Sequence, residues 1–354
     1  MRRIPAYASR NFGYMRHNSG YAPRNFRYEP RIPAYASRNF GYMPHNSGYE
    51  SLRRGYEAQG VAGYSSEENG AIYRSAGTHD VMQKNSIGFD LVKKFAGLTG
   101  DAASAGFQFR LAYDYDVDTP KIEPQLFNAY LKGKTPIGDL WIGHDRIAFG
   151  LASYWDTHGD LLQPLPMYGF GFDRDWGGGF SKDFASGDLK LAATTGTGMG
   201  FTLDRNFLGS ARGSFGVLSY DNYNIGLSFM GGKIPDTMGY EIMDMRKNVL
   251  IGGVDIACNY NNIEQKAEVN CGAKGEKQVF AAFYRLGVNF LDENRLKLEA
   301  QYAYTDRDGI QNHTPGGGVT FRLTQDLTLR TVYEWSSESN EHRVAVQLYA
   351  YFGL

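Results

Sequence analysis

The chain is 354 residues long, 42% of them hydrophobic, with a formal net charge of −1. Mean hydropathy is −0.43 and no run approaches the roughly 18–20 apolar residues of a spanning helix, which excludes a helical membrane protein. Two cysteines are too few for a disulfide framework, and a charge this close to zero argues neither for nucleic acid nor against it.

The charge is unevenly spread. Residues 1–56 hold ten Arg, no Lys and only Glu29 and Glu50, a net +8, so the remainder carries −9. Tyrosine stands at 7, 14, 21, 28, 35, 42, 49 and 56, and RIPAYASRNFGYM at 3–15 returns at 31–43. A coiled coil would need two apolar positions per heptad in helix-forming sequence, whereas Pro5, Pro23, Pro30, Pro33 and Pro44 interrupt this repeat. Such a composition cannot bury a core, so 1–56 reads as a disordered low-complexity segment. Arginine interleaved with aromatics can bind single-stranded nucleic acid or anionic surfaces. The competing reading is an expanded short repeat translated upstream of the true start. No stretch within 1–80 has the apolar core of a secretory signal, which favours that second reading. Residues 57–83 read as a linker or a degraded first strand.

From residue 84 to the C-terminus the pattern changes to alternation. Phe107, Phe109, Leu111, Tyr113 and Tyr115 oppose Gln108, Arg110, Asp114 and Asp116. In 279–290, Phe280, Ala282, Tyr284, Leu286, Val288 and Phe290 oppose Arg285 and Asn289. In 294–306, Leu296, Leu298, Ala300, Tyr302 and Tyr304 oppose Lys297, Glu299 and Gln301. The last segments repeat this, with Leu329, Tyr333 and Trp335 against Arg330 and Glu334, then Val344, Val346 and Leu348 against Arg343 and Gln347. A strand has a side-chain period of two, so each segment has one apolar and one polar face. Repetition of segments about ten residues long, with aromatics at their ends, predicts lipid outside, water inside and interfacial girdles.

The expected fold is therefore all-β: a transmembrane antiparallel up-and-down β-barrel over 84–354. Fifteen segments can be placed, and short turns such as 136–138, 221–222, 261–262 and 325–326 alternate with longer connections at 151–172, 198–206, 235–246 and 306–316. The short turns belong on the periplasmic side. Parity then demands one more strand before residue 84, for about 16 in all. Fourteen is the runner-up, reached if 258–271 is an external loop.

AYLKGKTPIGDLWIGHDRIAFGL at 129–151 is a strand, a tight turn and a returning strand ending in a Phe-Gly step. With the aromatic terminal strand RVAVQLYAYFG, it resembles bacterial outer-membrane porins of the general or phosphate-selective type; the chain departs from that pattern in ending on Leu354. The resemblance implies an outer-membrane location, lipid contact, passage of small hydrophilic solutes or ions, a homotrimer, and no nucleic acid, cofactor or catalysis.

The inward charges expected to line the pore are Arg110, Asp114, Lys190, Arg285, Lys297, Glu299, Arg322, Arg330, Glu334 and Arg343. Their bland reading is a web of ion pairs bracing the wall. Their functional reading is a field that filters hydrated solutes and mildly favours anions, because the last five strands are mostly basic inside. The connection 151–172 is the longest and most apolar, so it is expected to fold into the barrel and constrict it, carrying Trp155, Asp156, His158 and Asp160. Asp156, His158 and Asp160 alternate as a divalent cation's ligands could, but solvated loop residues are the commoner case and no metal is assigned. Cys258 and Cys271 would not meet in a hairpin turning near 261. No GxSxG, HExxH or P-loop pattern is present, and the inward faces offer no nucleophile, base and orienter together. The alternative to a pore is a non-conducting sheath around a partner such as an electron-transfer protein.

Overall fold

The computed structural model describes residues 51–75, 83–97, 100–115, 121–156 and 159–353. The heptad repeat up to residue 50 and the loop residue His158 lie outside the described residues.

The chain forms one antiparallel sheet. Its strands are β1 (Ser51–Ser65), β2 (Gly70–Ile72), β3 (Asn85–Gly97), β4 (Gly100–Asp114), β5 (Lys121–Thr135) and β6 (Gly138–Arg146). There follow β7 (Arg174–Phe184), β8 (Gly187–Thr194), β9 (Phe207–Phe215), β10 (Tyr223–Met238), β11 (Glu241–Tyr260) and β12 (Ile263–Lys274). The last five are β13 (Lys277–Phe290), β14 (Leu296–Arg307), β15 (Ile310–Arg322), β16 (Leu327–Ser336) and β17 (Glu341–Gly353). From β3 onward each pairs with its neighbours in sequence, and β1 pairs with β17 from Gly55↔Gly353 to Ser65↔Arg343. Strands β2 and β3 both pair with β1, at its two ends, and so share one position in the wall. The result is a closed barrel of 16 wall positions without a free edge strand in the ring.

Side-chain alternation follows the sequence. Leu298, Tyr302, Tyr333, Val344, Val346 and Leu348 are exposed on the outer face, while Arg285, Gln301, Arg330, Glu334 and Gln347 are buried inside. On the outer face near the long-loop end, Tyr302 and Tyr333 pair through their hydroxyls with Nδ1 of His313 (2.6 Å) and His342 (2.8 Å). This fits an aromatic girdle.

Three boundaries differ from the sequence reading. The strand expected before residue 84 is present as β1, but the described part of it starts at Ser51, inside the segment assigned to the repeat. In β1 the outward side chains between Tyr56 and Tyr64 are only Ala58, Gly60 and Ala62, so apolar contrast with inward Glu57 and Gln59 is weak. The hairpin expected at 258–271 in the 16-stranded reading is present, with register Tyr260↔Ile263, which removes the 14-stranded alternative. The spans 235–246 and 306–316 are not long loops. They are continuations of the β10–β11 and β14–β15 hairpins, turning at 239–240 and 308–309. Cys258 and Cys271 are both free, with partners Gln265 and Gly252 across the ladder.

Two measurements follow from this wall. Leu298→Arg or Leu348→Arg should cost roughly 2–4 kcal/mol in urea unfolding from lipid vesicles, and Leu291→Arg at a turn about 1 kcal/mol or less. Equal costs at both depths would mean that the outer face does not meet lipid. A chain beginning at Ser51 should refold with undiminished β content, whereas one beginning at Tyr73 should not, because β1 closes the ring.

Candidate pore and constriction loop

The described residues between β6 and β7, 147–156 and 159–173, turn into the lumen. Gly150 makes the bend with φ of 57°, in the left-handed region, and a Cβ there would come within 2.7 Å of the Glu268 carboxyl carbon. The wall supplies acceptors for the backbone that this turn exposes. The amide of Ala148 donates to Ser210 Oγ (3.3 Å), that of Gly150 to Ser228 Oγ (2.9 Å) and that of Leu151 to Glu268 Oε2 (3.1 Å). Buried amides without such partners would each cost about 1–3 kcal/mol.

Farther along, Arg285 from β13 fixes the loop with its whole fork. Nη1 donates to Asp160 Oδ2 (3.0 Å), Nη2 to the carbonyl of Leu162 (2.8 Å) and Nε to Gln301 Oε1 (2.8 Å). Gln301 in turn donates to the carbonyl of Gln163 (2.9 Å). Burial pushes the Asp160 carboxyl above its ordinary pKa, while the Arg285 guanidinium beside it pulls the other way. The apolar side chains complete the attachment. Leu151, Trp155, Leu165 and Phe170 pack with Ala257, Ala281, Phe283 and Ala303, and Leu161 and Leu162 pack with Val332 and Ala345. Each large side chain so buried contributes about 1.5–3 kcal/mol.

The loop therefore lies along the wall formed by β9–β17. Between it and β1, β3–β8 and β17 remains a cavity of about 870 Å³, lined among others by Asp90, Lys94, Tyr130, Lys132, Asp145 and Lys190. Ser153, Tyr154 and Asp156 of the loop border it. Asp156 accepts from Arg146 (2.7 Å) and Arg174 (3.5 Å), and Lys190 Nζ donates to the carbonyl of Ser153 (3.0 Å). The Tyr154 ring lies 4.7 Å from Arg212, whose guanidinium is buried against Asp255 at 2.7 Å.

The sequence-derived charges divide into two groups. Among the described residues, Lys190 and Asp156 line the cavity, whereas Arg285, Lys297, Glu299, Arg330, Glu334 and Arg343 do not. Lys297 pairs with Glu299 (2.9 Å) and Glu264 (3.0 Å), Arg343 with Glu334 (3.0 Å), and Arg330 donates to Gln347 (2.6 Å). Arg110 is fully buried, donating to Gln125 Oε1 (2.6 Å) and Gln83 Oε1 (3.3 Å). Asp114 accepts from Lys84 (2.9 Å), and Arg322 donates to the carbonyl of Glu293 (3.2 Å) at the short-turn end. Trp155 is buried, 6.1 Å from Phe283 between ring centroids. Asp156 and Asp160 are engaged by guanidinium groups, which leaves neither free for a cation.

Sequence reasoning missed Gly150, Ser210, Ser228 and Glu268 at the loop root, and Arg146, Arg174 and Arg212. One signal was available. Ala281, Phe283, Val332 and Ala345 are apolar at inward positions, where a water-lined wall is polar, and each touches the loop.

Replacing Gly150 with Ala should strain the bend by about 1–3 kcal/mol and loosen the root. Arg285→Ala should remove the middle attachments. Both should raise single-channel current noise in planar bilayers, and quiet traces identical to those of the unmodified chain would contradict this anchoring.

Neither a protein-family model nor a characterised protein sequence matches the chain. Solved structures do match its fold. The trimer form of OmpT, an outer-membrane protein of Vibrio cholerae, superposes with TM-score 0.58 at 10% identity, covering 86% of this chain and 99% of that one. An anion-selective porin from Comamonas acidovorans gives 0.56 at 12% identity, covering 86% and 100%. OmpF of Salmonella typhi gives 0.56 at 9% identity, covering 88% and 99%. With its closed ring of 16 wall positions, the protein is a porin-like β-barrel of the kind found in bacterial outer membranes.

Proposed function

We propose that the protein is a passive channel of the bacterial outer membrane, admitting small hydrophilic solutes or ions without a catalytic step. The observation that carries this is the inserted loop bordering a charged cavity of about 870 Å³. A sheath would need a wide lumen to receive its partner, and the loop occupies that space. A homotrimer is part of the proposal, supported by the trimeric form of the Vibrio cholerae barrel.

A mild anion preference belongs to the same reading, but it is not carried by the last five strands. The basic side chains of the last five strands are held in pairs or hydrogen bonds away from the cavity. Among the residues lining the cavity, eight Lys or Arg stand against seven Asp. That small excess of basic groups favours anions weakly.

Reversal potentials in a salt gradient test this. The unmodified channel should favour anions at about 0.1 M salt, and Lys190→Glu should reverse or abolish the preference. The difference should shrink near 1 M, where the screening length falls to about 3 Å. Cation preference in the unmodified channel would overturn the selectivity.

A further inference from the structure

The wall is uneven at its long-loop rim. The ladder between β5 and β6 ends at Ala129↔His144, so among the described residues β5 has no ladder partner on that edge from Lys121 to Asn128. The ladder between β9 and β10 ends at Phe207↔Lys233, while β10 and β11 continue together to Met238↔Glu241. Strands β6–β9 therefore form a low stretch of wall between two tall hairpins, β4–β5 and β10–β11. Five strand spacings, about 24 Å along the ring, separate β5 from β10. The tip of the β10–β11 hairpin nevertheless reaches β5. The Leu126 amide donates to Tyr240 Oη (2.6 Å), and Tyr240 Oη donates back to the Leu126 carbonyl (3.4 Å).

Both ends of this contact are held in place by other residues. On β5 the register slips from Gln108↔Asn128 to Phe109↔Leu126, which leaves Phe127 as a bulge residue. Its buried ring lies 4.3 Å from the Arg110 guanidinium and 5.6 Å from that of Arg174, so the bulge is fixed from inside. Pro124, two residues farther along the strand, has no amide to donate. The connection between β8 and β9 forms a seat beneath the hairpin. The buried Asp175 carboxylate gathers the amides of Thr197 (3.1 Å) and Gly198 (3.0 Å) and the Thr195 hydroxyl (3.0 Å). A Cβ at Gly200 would stand 2.9 Å from Ile242 Cδ1 and 3.0 Å from the Tyr240 carbonyl oxygen, so the hairpin lies directly on that backbone. Asn128, two residues from Leu126, lines the cavity, which puts the Tyr240 contact at the cavity's long-loop end.

We propose that the β10–β11 hairpin is a strap over the long-loop mouth, latched on β5 by the Tyr240 hydroxyl and opening when that latch releases. The inference rests on the pore reading and adds a gate to it. The hydroxyl accepts and donates here as a neighbouring strand would, and without it the Leu126 amide is left unsatisfied. The seat is anchored through a buried carboxylate, whereas the latch is one side chain at the end of an overhang. A single hydrogen bond shifts an equilibrium about twofold to tenfold, which is small enough for the strap to open thermally. Solutes then meet two forms of the mouth, one roofed and one open.

The test uses the full chain, with amide hydrogen exchange of the detergent-solubilised barrel and single-channel recording in a planar bilayer. Tyr240→Phe keeps the ring and removes the hydroxyl. Exchange at Leu126 should then speed up about twofold to tenfold, while Phe109 and Leu111 of β4 stay unchanged. The unmodified chain should show two conductance levels, and Tyr240→Phe should raise the ratio of time in the larger to the smaller by about the same factor. Leu126→Pro removes the donor from the other side and should shift that ratio as much, with no further shift in the double variant. Unchanged exchange at Leu126 in Tyr240→Phe, or additive shifts in the double variant, would overturn the latch. Faster exchange with unaltered conductance levels would overturn the gate and leave the pore standing. Absence of current in every variant would instead overturn the pore, and exchange at Leu126 then decides the latch by itself.

Discussion

The guanidinium of Arg285 is the interaction on which the lumen's organisation depends. Buried with all three of its nitrogen positions engaged, it ties a carboxylate, a backbone carbonyl and a wall amide together. A buried guanidinium left without partners costs several kcal/mol, so the wall and the loop specify each other. Once the loop is seated, inward charges fall into three populations. Those beneath it are structural, those lining the cavity meet water, and Arg110 and Asp114 of β4 are buried away from both.

This division explains why an inward-facing side chain cannot be equated with a pore-lining one. Parity along a strand assigns a side chain to a face, and it did so correctly for Arg285, Lys297, Arg330 and Glu334. It says nothing of what lies over that face. The covering segment comes from residues more than a hundred positions earlier, and the contact between Asp160 and Arg285 has no local signature. Apolar residues at inward positions, such as Phe283, were the local trace of that coverage.

Strand period and turn chemistry made most of the barrel legible, because lipid on one side and polar contacts on the other impose a period of two on nearly every segment. Legibility failed where that contrast is small. The outward side chains in the middle of β1 are Ala and Gly, and the adjacent tyrosine repeat supplied a competing pattern that absorbed Tyr56. The tall β10–β11 hairpin was lost for a related reason. Beyond the membrane both faces of a hairpin can be polar, so Pro235 and Asp236 read as loop although the ladder continues to Met238↔Glu241.

The seated loop also accounts for the cavity's position against β1 and β3–β8. Its shape and its charges thus follow from one event, the entry of residues 147–156 and 159–173 into the ring. The central claim is that water and ions still pass beside that loop. Single-channel conductance of the full chain in a planar lipid bilayer tests it most directly. Discrete, long-lived openings whose conductance grows with bulk salt are the predicted result. A correctly folded, membrane-inserted barrel that passes no ionic current would contradict the account.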